Sequence, residues 1–311
     1  MNRPAFIALV LCSLFTLLLV SSASARDWWL ESAPADAMDQ QIVVRPKVAP
    51  PVKQGSTFVP IDNAVRVNWV DKYIEVVAGG TVDMNQAINM PHALTIAKKT
   101  ARHLAYEKLA ETIRGIHIDA DATYDRELMV DSNLRTKVDA LVLGAQVIDE
   151  THEQFADGSI MAQVRLGIRI VGSDSLMSGT KDWLGNKSGS ASGIGVSGGG
   201  TDHTGVIVVA TGLKAKPAMT PRLVGTGGET FYGHKDVSQE YLVKYGLVGY
   251  AKSVEQAAKL ERVGKNPLVL QASEVTGDYQ CDLILSPEEA LKLKRLGAQA
   301  LSECRVVFVT D

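Results

Sequence analysis

The chain has 311 residues, 46% of them apolar and 22% charged, with a net charge of −3. That balance fits a globular protein of two domains and lacks the basic excess that a nucleic-acid partner requires. The six histidines, at 92, 103, 117, 152, 203 and 234, show no metal-ligand spacing, and the three cysteines form no CxxC pair.

The N-terminus reads as a secretory leader. Asn2-Arg3 is a short basic head, residues 5–20 are an apolar core, and Ser21 to Ala25 is a small-residue tail ending in Ala-x-Ala. An uncleaved anchor is the alternative, but the apolar core is short for a membrane span. Cys12 lies mid-core after Leu11, which does not suit lipid attachment. Removing Arg3 takes the basic count from 32 to 31 against 35 acidic residues, about −4. No later apolar run is long enough to span a bilayer, so with the leader the expected location is the periplasm, with a peripheral place at the outer membrane as a further alternative. Residues 26–62, with Pro34, Pro46, Pro50, Pro51 and Pro60, read as an extended tether in which Trp28 and Trp29 pack onto a nearby domain or, as the alternative, mark a partner or membrane-surface contact.

Residues 63–173 read as one α+β domain. Val65, Val67 and Trp69, then Ile74, Val76 and Val77, suggest a strand pair ending at Gly79-Gly80. A long amphipathic helix follows from Pro91, with Leu94, Ala97, Ala101, Leu104 or Ala105, Leu109 and Ile113 on one stripe and Gly115 as its stop. Residues 116–124 alternate as a strand, and 126–141 read as a helix through Leu128, Leu134, Val138 and Leu141. Two more strands, 145–152 and 160–170, flank Ala156-Asp157-Gly158-Ser159, a hairpin signal. The sum is an antiparallel sheet with one long helix packed across it.

Several spacings in this region resemble a known family. They are Ala97-x4-Arg102-x2-Ala105-x3-Leu109-x3-Ile113-x-Gly115, Ser132 with Val138, Gly144-Ala145-x-Val147-Ile148-Asp149-Glu150, and Asp157-Gly158-Ser159 with Val164-x-Leu166. Over about a third of the chain they resemble the envelope lipoprotein family that includes the flagellar outer-membrane protein FlgP and the N-terminal domain of the flagellar assembly protein FlgT. The resemblance implies an envelope role in building or stabilising larger assemblies and supplies no catalytic residues. The chain departs from the lipoprotein members at the cysteine.

Residues 174–203 read as a Gly/Ser-rich linker. Its Gly193-x-Gly195-x-x-Gly198 matches a dinucleotide fingerprint in letters, but a strand rather than a helix follows it, so no nucleotide is expected. Residues 204–311 read as a second, α/β domain. Its strands are expected at 206–210, after Pro221, at 248–251, 268–272, 281–285 and 305–310. Helices are expected near 238–245 and 254–262 and from Ser286-Pro287, a capped start. Thr204-Gly205-x-Ile207-Val208-x-Ala210-x-Gly212-Leu213 with Pro217-Ala218-Met219-x-Pro221 resembles the segment that trails the first domain in related envelope proteins.

Little here carries chemistry. Asp119-Ala-Asp121-x3-Asp125 imitates a calcium loop but has Tyr124 at the glycine position and Val130 at the final ligand. There is no GxSxG or HExxH. Cys281 and Cys304 sit near the starts of two expected strands in an apparent strand-helix-strand unit. If those strands are parallel neighbours the sulfurs could form a disulfide, and otherwise they are buried thiols. The most site-like stretch runs from Lys216 to Lys235. It offers a partner-binding loop through Arg222, Glu229, Tyr232 and His234, or ordinary turns with solvated charge.

The expected function is a non-enzymatic envelope scaffold or assembly protein without a cofactor or metal, working with envelope proteins or as a homo-oligomer. The alternative is a binding module for peptidoglycan or another envelope component through the C-terminal domain. A hydrolase with a site assembled from distant residues is a third reading.

Overall fold

The structure, a computed structural model, describes residues 64–187 and 202–311, all within one compact unit. The leader, the proline-rich tether and the glycine fingerprint lie outside the described residues. The architecture is α+β, with one sheet in each half of the described chain.

The first sheet contains β1 (Val65–Asn68), β2 (Tyr73–Val82), β3 (Gln146–Gln154) and β4 (Ile160–Arg169), in the order β1-β2-β4-β3, all antiparallel. Helix α1 (Met90–Arg114) crosses one face. Asn89 caps its start by accepting from the His92 N–H, with Pro91 in the first turn. The stripe it buries is Ala93, Ala97, Ala101, Ala105, Leu109 and Ile113, a strict four-residue repeat. Ala105 rather than Leu104 occupies the core, and Leu104 is exposed. The alanines let the helix backbone approach the sheet. Opposite them stands Gly80, where a Cβ would lie 2.6 Å from both the Ala97 carbonyl oxygen and the Ala101 nitrogen.

The expected helix at 126–141 is two: α2 (Tyr124–Val130), capped by Thr123, and α3 (Ser132–Leu143), capped by Asp131. The expected strand at 116–124 is a folded-back loop. The Asp121 N–H bonds to the Asp119 carboxylate and the Ile118 N–H to the Ala122 carbonyl, which turns the chain after two strand-like residues. The expected linker contains a helix, α4 (Leu176–Asn186), capped by Ser175 and anchored by Leu176, Met177, Thr180 and Leu184.

The second sheet contains β5 (Gly205–Val209), β6 (Leu223–Gly225), β7 (Thr230–Tyr232), β8 (Gly249–Ala251), β9 (Pro267–Thr276), β10 (Asp282–Leu285) and β11 (Val306–Val309). Its order is β7-β6-β10-β9-β5-β11-β8. Strands β9, β5, β11 and β8 are mutually parallel, while β10 is antiparallel to β9. The central strands β5 and β11 are covered on both faces, which is why they read as unbroken apolar runs. Helices α5 (Gln239–Tyr245), α6 (Val254–Ala258), α7 (Pro287–Lys294) and α8 (Ala298–Ser302) connect the strands. Among the described residues, no helix is long and apolar enough to cross a membrane.

The topology removes the condition for a Cys281–Cys304 disulfide. Strands β10 and β11 are separated by β9 and β5, a distance of about 14 Å across the sheet. They also run in opposite directions, so the residues before them sit at opposite ends. Both thiols are free and buried.

One core cluster continues through both sheets, joining Ile74, Leu109 and Leu166 to Val208, Leu270 and Phe308. At the seam, the loop after α1 exchanges backbone hydrogen bonds with the second half. The Met219 N–H donates to the His117 carbonyl at 3.0 Å, Thr220 N–H to Ile118 at 2.7 Å, and Tyr279 N–H to Ala120 at 3.1 Å. The buried Tyr124 hydroxyl sits against Thr180 and the Met219 sulfur.

Gly80→Ala is expected to destabilise the protein by about 1–3 kcal/mol, because the new methyl meets helix backbone rather than a movable side chain. Denaturant titration checks this, and an unchanged midpoint would show that α1 can move off the sheet.

Candidate functional site

The seam also carries a group of charged side chains. A cleft of about 120 Å³ is lined from the first half by Asp119, Asp121 and Lys187, and from the second by Thr220, Arg222, Thr230 and the turn Gly233 to Asp236. The folded-back loop presents the two aspartates. Helix α4 delivers Lys187 at its C-terminal cap, and the residue before β6 delivers Arg222.

Each strong charge has a partner. Lys187 Nζ lies 2.6 Å from Asp119 Oδ2, and Asp119 is buried. The Arg222 guanidinium donates from Nε to Asp282 Oδ2 at 2.6 Å and from Nη2 to Asp121 Oδ2 at 3.0 Å. The Arg222 backbone N–H reaches the other Asp282 oxygen at 2.7 Å. Asp282 is fully buried, and burial pushes its carboxyl from 3.8 up to about 6 against the opposing pull of Arg222. Burial is the largest single influence on Arg222 and works against its charge, but Asp282, Asp121 and Asp119 together outweigh it and the guanidinium pKa is raised. Burial holds His234 below its ordinary value, with Asp119 opposing. Among the described residues its Nε2 is buried without a hydrogen-bond partner.

Two of the four loop residues expected from the sequence, Arg222 and His234, therefore line one cleft. The other two go elsewhere. Tyr232 is a fully buried core residue whose hydroxyl donates to the Leu247 carbonyl at 2.9 Å. Glu229 lines a separate hollow of about 140 Å³ with Phe231, Pro287 and Lys294. Asp282, Lys187 and Asp236 carried no sequence signal. Asp119 and Asp121 did, as the imitation of a calcium loop, and the structure uses them as carboxylate partners of cations.

The reactive side chains outside the cleft are held quiet. Cys281 Sγ lies 3.7 Å from His117 Nδ1, and Tyr279 packs edge-on against that imidazole. Burial pushes the Cys281 thiol up to about 12 and lowers His117, so the pair does not form a thiolate–imidazolium. Burial likewise raises Cys304 to about 11. Lys72 donates to the Val248 carbonyl at 2.8 Å and lies over the rings of Tyr250 and Trp69. Burial, with Arg262 acting in the same direction, drives its amine well below the ordinary lysine value. Arg262 donates to the carbonyls of Tyr245, Gly246, Leu247 and Cys304, closing the C-terminal end of α5. Among the described residues no group of three side chains could hold a metal ion.

Residues 205–311 match the model of a family described as Treponema pallidum Tp0624, second domain. The match covers the second sheet from β5 to the end and stops short of the first half. No curated protein matches the chain.

Asp282 supplies a pH test. Its folded pKa is raised, so the folded state binds the proton more tightly. The stabilisation is present below about pH 4 and is lost as the pH rises through about 6. Relative to Asp282→Asn, the wild type is expected to lose about 2–3 kcal/mol between pH 4 and 7. Parallel stability curves for the two proteins would contradict the assignment.

Proposed function

We propose that the protein is a non-enzymatic scaffold or assembly component of the cell envelope, periplasmic and peripheral to the outer membrane, acting through envelope proteins or copies of itself. The observation that carries this reading is the seam. It joins two sheets through one core, and its charged groups are partnered with one another rather than left poised for a substrate. The leader-like N-terminus and the spacings that resemble those of the FlgP and FlgT N-terminal family support the location and the assembly role. A flagellum- or outer-membrane-associated machine is the corresponding partner class.

A second reading is a binding module for peptidoglycan or another envelope polymer through the C-terminal half. The cleft beside Arg222 and His234 favours it, because the buried His234 Nε2 offers a hydrogen-bonding group without an internal partner.

Fractionation and crosslinking of the tagged protein in intact cells, followed by mass spectrometry, tests the first reading. Co-recovery with outer-membrane or basal-body assembly components is expected, and a partnerless free monomer contradicts it. Co-sedimentation with purified sacculi tests the second reading, which fails if the protein stays in the supernatant.

A further inference from the structure

Away from the seam cleft, helices α3 and α4 enclose a groove of about 390 Å³. Lys137 pairs with Asp182 across it. A Cβ on Gly179 would lie 2.7 Å from Leu141 Cδ1. These two contacts set the helices antiparallel and bring them close at the Gly179 end. The groove extends from there toward Asn133 and Asn186, along about 10 Å of helix.

Its lining combines an aromatic ring with neutral hydrogen-bonding groups. Trp183 is half-buried in the wall, and Lys187 lies 4.8 Å from its ring centroid, which holds the indole from the seam side. Asn133 and Asn186 are exposed, and among the described residues their amides have no internal partner. Lys137 and Asp182 pair with each other, and Asp131 accepts from the Leu134 N–H at the start of α3. The groove therefore offers no uncompensated cation to an acidic ligand, and its one remaining carboxylate sits at the positive end of a helix.

We infer that the α3–α4 groove binds a neutral saccharide. An indole presents a flat apolar surface to the C–H face of a pyranose ring. Each carboxamide offers both a donor and an acceptor to neighbouring hydroxyl or acetamido groups. A few convergent polar groups around an aromatic wall are the usual composition of a small-ligand site. The groove is separate from the seam cleft, although Lys187 touches both, does not rest on the scaffold reading, and lies in the half that the family match does not reach.

The test is calorimetric titration of the full chain with soluble β-1,4-linked tetramers of N-acetylglucosamine and of glucose. At least one is expected to bind with a Kd of about 1 mM or tighter. Asn133→Ala combined with Asn186→Ala should weaken binding about tenfold or more with an unchanged thermal midpoint. Trp183→Ala should abolish binding. Because Trp183 also packs on the core and its loss could unfold the helix, the exposed asparagine pair carries the decisive comparison. Absence of binding of both tetramers by the wild type, or unchanged binding in the asparagine double variant, overturns the inference.

Discussion

The rest of the structure depends on the loop between α1 and α2. Its backbone carbonyls at His117, Ile118 and Ala120 accept hydrogen bonds from Met219, Thr220 and Tyr279. Buried backbone groups need such partners, and here they find them across the seam rather than within their own half. The two sheets thereby align. Tyr124, Met219 and Thr180 can then pack against one another, and Lys72 can reach the Val248 carbonyl and the face of Tyr250. The ion pairs at the cleft follow from this alignment, since Arg222 can bridge Asp121 and Asp282 only when the halves meet in one register.

This arrangement places most of the polar chemistry in positioning roles. A cation drawn away from water is tolerated when carbonyls or rings surround it, as Arg262 and Lys72 show, while the partly exposed Arg222 is held by carboxylates. Arg262 closes the carbonyl end of α5 and fixes the chain entering β8. Both thiols sit where burial keeps them protonated.

Much of the fold was legible from short-range signals. The four-residue repeat of α1, the Asp157-Gly158 turn with Gly158 at φ +86°, the apolar runs of β5 and β11, and the Ser286-Pro287 helix start each depend on neighbours in sequence. Helix α4 was hidden because Gly179 and Gly185 resemble the glycine-rich stretch that follows, although Ser175 and the Leu176–Leu184 stripe held the signal. Residues 116–122 alternate as a strand should, but the Asp119 side chain turns the chain back. The cleft could not be read, because Arg222 meets partners 101 and 60 positions away. Of its two expected companions, Glu229 precedes β7 and lines the separate hollow, and Tyr232 at the end of β7 is buried in the core. The cysteine question turned on strand order, which no local pattern encodes.

The central claim is that the seam makes the two sheets one cooperative body. Native-state hydrogen exchange read by mass spectrometry under increasing denaturant tests it most directly. Amides of β2 and β4 in one sheet and of β5 and β11 in the other should lose protection together, with one free energy and one denaturant dependence. Loss of protection in one sheet while the other remains protected would show that the seam is only a contact between independent domains, and would contradict the account.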